Sequence, residues 1–263
     1  MSSTLLDLGI IKIKWYSFFI LLAFLIAYYI IQKEAKKKNI DKEKLYDLLF
    51  YGMIISIIGA RLYYVLFNLN YYLIDKIEII KIWNGGLAIH GGIITGVIFT
   101  YFFCKRKKIN FELTLDILVV GLIIAQAIGR WGNFFNQEAY GRIISLSYLK
   151  SIHLPEFIIN GMYINGYYRE PTFLYESLAS ILGFIILIII RKNKKLKVLQ
   201  LTGIYLVWYS TERIIIEALR TDSLMLYNMK MAQIISIIGI ILGIYLVFKN
   251  IKNNRLYKDE TYK

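Results

Sequence analysis

Long apolar stretches, separated by short polar clusters, run almost the whole length of the chain. A stretch of ~18 or more apolar residues reads as a helix crossing a bilayer. Seven stretches reach or approach that length: Trp15 to Gln32, Leu48 to Leu66, Leu87 to Cys104, Leu113 to Ile128, Phe173 to Ile190, Leu199 to Glu217 and Met231 to Val247. They predict an all-α integral membrane protein with seven transmembrane helices. Spans of ~20 residues would occupy more than half of the 263 residues. A single polytopic membrane domain over residues 1–263 is therefore expected. The first stretch is too long for a signal-peptide core and lacks a cleavage site ahead of Lys33. It is expected to remain as an anchor.

Composition agrees with this pattern. The apolar share is 57%, against ~45–50% in globular chains. The net charge of +14 would suit a nucleic-acid surface, but the position of the charges decides otherwise. Four clusters, in 33–44, 105–108, 191–197 and 249–263, hold 20 of the 32 Lys and Arg residues. All four fall on one side if seven spans alternate. The positive-inside rule makes that side the cytoplasm, beside an anionic leaflet. The N-terminus is then outside and the C-terminus cytoplasmic, and no nucleic-acid partner is expected. One cysteine and two histidines exclude a disulfide framework and argue against a metal site. Cys104 reads as a small apolar residue.

Two connections on the outer side are long. Phe67 to Gly86 mixes apolar, aromatic and charged residues and is expected along the membrane surface. Residues 131–171 form an external insertion, where Asn160-Gly161 and Asn165-Gly166 are hairpin-turn signals. A small external β element is expected there, between spans four and five.

Ionisable residues are costly in apolar spans and mark function by default. With the orientation fixed, Tyr16, Arg61, His90, Arg130, Tyr175, Glu176, Arg213, Glu217 and Arg220 all fall in the outer half. Asp116, at the cytoplasmic start of span four, is the exception. Arg213, Glu217 and Arg220 are spaced to share one helix face, either as a functional face or as an interfacial ladder reaching water. From Gly129 to Glu138 the helix is expected to fray at Gly129 and Gly132. Exposed backbone, Arg130, Asn133, Asn136 and Glu138 would then form a polar pocket. His90 stands among glycines, and a lone histidine is also compatible with simple packing. Gly92 with Gly96, and Gly239 with Gly243, read as helix-packing faces.

These motifs together resemble the bacterial prolipoprotein diacylglyceryl transferase family. The most specific match is Gly129-Arg130-x-Gly132-Asn133-Phe134-x-Asn136-x-Glu138-x-x-Gly141. Trp15-Tyr16, Gly59-Ala60-Arg61 with Tyr64, His90-Gly91-Gly92, Pro171-Thr172-x-Leu174-Tyr175-Glu176 and Arg213-x-x-x-Glu217-x-x-Arg220 follow the family order. Ser17, Asn84, Glu170 and Phe173 depart from its usual residues.

The resemblance implies an enzyme of the bacterial cytoplasmic membrane with its site toward the outer leaflet. Such an enzyme moves the diacylglyceryl group of phosphatidylglycerol to the lipobox cysteine thiol of a preprolipoprotein still carrying its signal peptide. A thioether forms and glycerol 1-phosphate leaves. No cofactor is implied, because the phosphate ester is already a leaving group. The nucleophile belongs to the substrate, so the enzyme needs no catalytic cysteine of its own. Arginine suits the phosphate, since its planar guanidinium binds oxygens bidentately. Arg130 and Arg213 are expected there, with His90 as base or thiol-positioning group. Glu138, or the field of the arginines, is an alternative to His90. Tyr16, Arg61, Asn133, Asn136, Glu138, Gly141, Tyr175, Glu176, Glu217 and Arg220 are expected to bind substrate. Two rivals stand beside this reading: another intramembrane lipid-modifying transferase, or a small-anion transporter. Against the second, the polar residues are biased outward and no internal repeat is evident.

Overall fold

The computed structural model describes residues 3–7, 9, 12–221, 225, 226, 229–249 and 255–260. Each of the seven apolar stretches is a helix: α1 (Trp15–Lys37), α2 (Lys42–Phe67), α4 (Ile89–Lys107), α5 (Phe111–Asn136), α8 (Thr172–Arg191), α9 (Gln200–Leu219) and α10 (Met231–Lys249). Short helices α3 (Leu69–Ile74), α6 (Leu146–Ser151) and α7 (Glu156–Gly161) lie in the connections. So do two-stranded hairpins pairing β1 (Thr4–Asp7) with β2 (Lys12–Lys14), β3 (Tyr163–Ile164) with β4 (Tyr167–Tyr168), and β5 (Met225–Leu226) with β6 (Met229–Lys230). Both prolines cap helix starts, Pro155 for α7 and Pro171 for α8, where a missing N–H costs nothing.

Among the described residues, five helices, α1, α2, α5, α8 and α10, are long and apolar enough to cross a membrane. The physical reason that α4 and α9 fall short is charge. The last turn of α4 holds Lys105, Arg106 and Lys107, and α9 carries Glu212, Arg213 and Glu217. Burial follows the logic of a lipid solvent. Leu21, Leu25, Ile238 and Ile241 lie exposed on their helices, while Asp116, Thr172, Glu176, Ser177, Ser180 and Glu217 are buried. Without water outside, small and polar residues mediate helix contact.

The chain divides into two compact units, one of Met1–Ile31 with Leu115–Glu260 and one of Gln32–Thr114. In the second, α2 and α4 pack through small residues. A side chain at Gly91 would meet the carbonyl of Gly59 at 2.5 Å, and Gly92 and Gly96 lie against Ser56. In the first, Gly121 admits Ile31 of α1 against α5, and Gly203 on α9 faces Gly243 on α10. Both Gly-x-x-x-Gly pairs are thus packing faces.

Asp116 is fully buried and explains its own exception. Its carboxylate accepts from the Leu199 and Thr202 amides at 2.6 and 2.8 Å and from the Thr202 hydroxyl at 2.7 Å. An acid on α5 thereby caps the N-terminus of α9, satisfying donors that a helix start leaves open.

Two local expectations are corrected. α5 does not fray at Gly129 or Gly132; it continues to Asn136. Gly132 serves approach instead, since a side chain there would lie 2.9 Å from the Tyr16 ring. Asn160-Gly161 closes no hairpin but ends α7. Asn165 and Gly166, at φ 52° and 83°, make the two-residue turn between β3 and β4. The α6–α7–hairpin segment has its own apolar core of Leu149, Ile158, Ile159, Met162 and Ile164, closed by Phe134 of α5 and Phe173 of α8.

Candidate active site

In the first unit three helices bring charge together. α5 supplies Arg130, α8 supplies Glu176, and α9 supplies Glu212, Arg213 and Glu217. Their backbones are tied: Ser177 Oγ donates to the Ala127 carbonyl at 2.9 Å, and Trp208 Nε1 donates to that of Ala179 at 3.0 Å.

Glu176 is the hub. Its side chain is 3% exposed and meets both guanidiniums. Arg130 pairs through Nε with Oε2, and Arg213 Nη1 donates to Oε1 at 3.0 Å. Arg213 Nη2 also pairs with Glu217 Oε2 at 2.7 Å, one helical turn along. Because Arg130 is held through Nε, its two terminal nitrogens are the ones left for an anion. Glu212 adds a third carboxyl group, which accepts from the Ser180 hydroxyl at 3.2 and 3.3 Å and lies close enough to Glu176, Arg130 and Arg213 to interact with their charges. Three carboxyl groups thus surround two guanidiniums. This is a pre-oriented ionic network, not a bare cationic trap.

Arg220 does not share the Arg213–Glu217 face. α9 ends at Leu219, and Arg220 is its extended C-cap, because its backbone pairs instead with Gly141. Gly141 is there for close approach: a side chain would lie 2.8 Å from Glu170 Cβ. Lys230 Nζ donates to the carbonyls of Glu217 at 2.5 Å and Arg220 at 2.8 Å, a cation on the negative end of the helix.

Asn133 follows Arg130 by one turn of α5. Asn136 Nδ2 lies 3.4 Å from Glu138 Oε1, and Glu138 itself is exposed. Gln137 and Ala139 on either side of it take φ 53° and 57°, so the chain reverses sharply after α5. Tyr16 lies against Gly132. Tyr175 is turned toward Tyr148 and the Arg142–Glu170 pair, away from the bearing of Glu176 on the next helical position.

His90 and Arg61 belong to the other unit. His90 is half-buried at the start of α4, its ring 6.4 Å from that of Tyr63. Arg61 donates to the carbonyls of Glu78, Ile79, Lys81, Gly85 and Gly86. In the same loop, Lys81 pairs with Glu78 at 2.6 Å, and this hydrogen bond holds the Lys81 ammonium above its ordinary pKa.

A family model described as prolipoprotein diacylglyceryl transferase matches residues 3–249. A relative from Listeria monocytogenes serotype 4b is 47% identical over 256 residues, covering 97% of this chain and 92% of its own length. One from Staphylococcus haemolyticus is 47% identical over 262 residues, covering 99% and 91%. One from Ligilactobacillus salivarius is 47% identical over 254 residues, covering 96% and 94%. All three are named phosphatidylglycerol–prolipoprotein diacylglyceryl transferase. The chain belongs to the prolipoprotein diacylglyceryl transferase family.

Two residues were passed over in the sequence, Glu212 in the network and Lys230 at the end of α9. Glu212 had a signal, an acid beside Arg213 in an apolar span. Lys230 had none, since its partners are backbone carbonyls at the end of another helix.

Proposed function

We propose that this chain transfers the diacylglyceryl group of phosphatidylglycerol to the cysteine thiol of a preprolipoprotein lipobox. The thiol sulfur bonds to the glyceryl carbon as the carbon–oxygen bond to phosphate breaks. The phosphate keeps the electron pair and leaves as glycerol 1-phosphate, and the thiol proton passes to a base. The observation that carries this reading is the pairing of Arg130 and Arg213 on the buried Glu176 carboxylate, in a chain that belongs to the prolipoprotein diacylglyceryl transferase family.

Each role follows from chemistry. The leaving phosphate gains negative charge as the bond breaks, and charge placed in advance contributes ~3–4 kcal/mol per donor. Arg130 offers its terminal nitrogens and Arg213 its fixed charge. Glu176 and Glu217 orient them. Tyr16, Asn133, Asn136, Glu138, Gly141 and Arg220 form the surrounding head-group and acceptor surface, and Tyr175, turned toward Tyr148 and the Arg142–Glu170 pair, stands apart from it. His90 takes the thiol proton, whose unperturbed pKa near ~8.5 requires help at neutral pH.

The membrane arrangement belongs to the same proposal. α4 and α9 cross the membrane as the other five long helices do. The N-terminus is outside, and residues 131–171 and the Phe67–Gly86 connection lie at the outer surface of a bacterial cytoplasmic membrane. Of the long helices, α1, α4, α8 and α10 carry basic residues in their last turns, which supports one cytoplasmic side.

The test is a transfer assay with purified protein, phosphatidylglycerol and a lipobox signal peptide. The cysteine peptide should gain the mass of one diacylglyceryl group, and its Cys→Ser variant should not. A folded protein that leaves the cysteine peptide unmodified would overturn the reading.

A further inference from the structure

Arg61 is 5% exposed on the apolar helix α2. A buried guanidinium must satisfy five N–H groups, and five backbone carbonyls meet them. Nε donates to Ile79 at 2.9 Å. Nη1 donates to Gly85 at 2.7 Å and Gly86 at 2.9 Å. Nη2 donates to Glu78 at 2.5 Å and Lys81 at 3.4 Å. The Tyr72 ring lies 5.1 Å from the guanidinium carbon. No N–H remains for a phosphate oxygen, so the expectation that Arg61 binds substrate gives way.

The loop it holds has no regular ladder of its own. It runs through two 3-10 turns, Lys76–Ile80 and Ile82–Asn84, to Gly85 and Gly86 at φ 88° and 73°. Gly86 sits so close that a side chain there would lie 2.4 Å from Arg61 Nη1. The preceding residue on α2 continues the attachment, with the Ala60 carbonyl accepting from the Ala88 amide at 3.0 Å. Ala88 is the N-cap of α4, and His90 is the second residue of that helix.

We propose that Arg61 is a positioning residue that fixes the 78–86 loop and so sets where α4 begins and His90 stands. It does not bind the phosphatidylglycerol head group. The proposal rests on the His90 reading above. Lysine cannot substitute, because a single ammonium with three donors cannot span five carbonyls.

The test compares Arg61→Lys, Gly86→Ala and His90→Gln in the transfer assay, with kcat and KM for phosphatidylglycerol measured separately. Gly86→Ala reaches the same loop without altering any charge, and it remains informative if Arg61→Lys folds poorly. A misplacement of 1 Å costs on the order of 10²-fold in rate. Both loop variants should therefore lose roughly 10- to 100-fold in kcat with KM for the lipid within about twofold of wild type. In Arg61→Ala, guanidinium ion at non-denaturing concentration should restore part of kcat, and methylammonium should not. A raised KM with kcat intact would make Arg61 a head-group ligand and overturn the proposal. His90→Gln separates the two claims. Full turnover by that variant overturns the base reading itself. An inactive His90→Gln beside fully active Arg61 and Gly86 variants overturns only the positioning.

Discussion

Two buried acids in this protein, Glu176 and Asp116, look alike in the sequence and do different work. Glu176 bridges two guanidiniums across three helices. Asp116 accepts three hydrogen bonds at the start of α9. Removing one partner of a buried ion pair costs ~3–5 kcal/mol, and in the reaction proposed above it also frees the arginines to move. Glu176→Gln should lower transfer by at least about tenfold, read as kcat/KM. Asp116→Asn should instead destabilise the fold by ~1–3 kcal/mol, read as earlier thermal unfolding in detergent, with transfer below that temperature retained. The reverse pattern would exchange their roles. Arg130, Glu176, Arg213 and Glu217 stood out in the sequence because charge in an apolar run is conspicuous, and the fold brings them into one ion-pair network. Partners that are backbone groups leave no such mark. The carbonyls around Arg61, the amides around Asp116 and the Lys230 cap on α9 could not be read from side-chain identity.

At the scale of elements, hydrophobic run length found all seven long helices, since each run lacks proline and carries its polar residues at the ends or on one face. The same reasoning stopped α5 too early at its glycines. A glycine in a helix signals either a break or a close neighbour, and Gly132 is the second case, with Tyr16 against it. Arg220 shows the converse: residue spacing extended α9, while the backbone bridge to Gly141 ended it. The connection after α2 carries a further expectation. Ile74 and Trp83 are 89% and 75% exposed, whereas Glu78 and Lys81 pair with each other. Exposed apolar residues beside a paired, partly buried Glu78 and Lys81 fit an element lying on a lipid surface. In vesicles containing brominated lipid, Trp83 should account for a large share of the tryptophan quenching, read as the difference between wild type and Trp83→Phe. No difference between the two would place this segment in water.

For the whole molecule, side and substrate are one question in the proposed reaction, because a lipid donor and an acceptor carrying its signal peptide would both reach the site from the membrane. Cys104 is buried and can be replaced by Ser to give a background without thiols. In that background Lys150→Cys, in α6, should react with an impermeant maleimide added to intact cells. Lys194→Cys, after α8, should react only once the membrane is opened. Labelling of Lys194→Cys from outside would invert the proposed topology. The clustering of basic residues is visible in the sequence because it depends on charge counts alone, and the labelling pattern tests the sidedness drawn from it, whereas depth and pocket shape depend on packing that a linear pattern does not carry.

The most direct test of the central claim is the stoichiometry of transfer. Phosphatidylglycerol labelled in its head-group glycerol would be supplied with the lipobox peptide. Released glycerol phosphate and diacylglyceryl-peptide would be quantified in the same reaction. One glycerol phosphate per thioether is expected, both abolished by Cys→Ser in the peptide and both sharply reduced by Arg130→Lys. Release of glycerol phosphate without peptide modification, or modification without release, would contradict that claim.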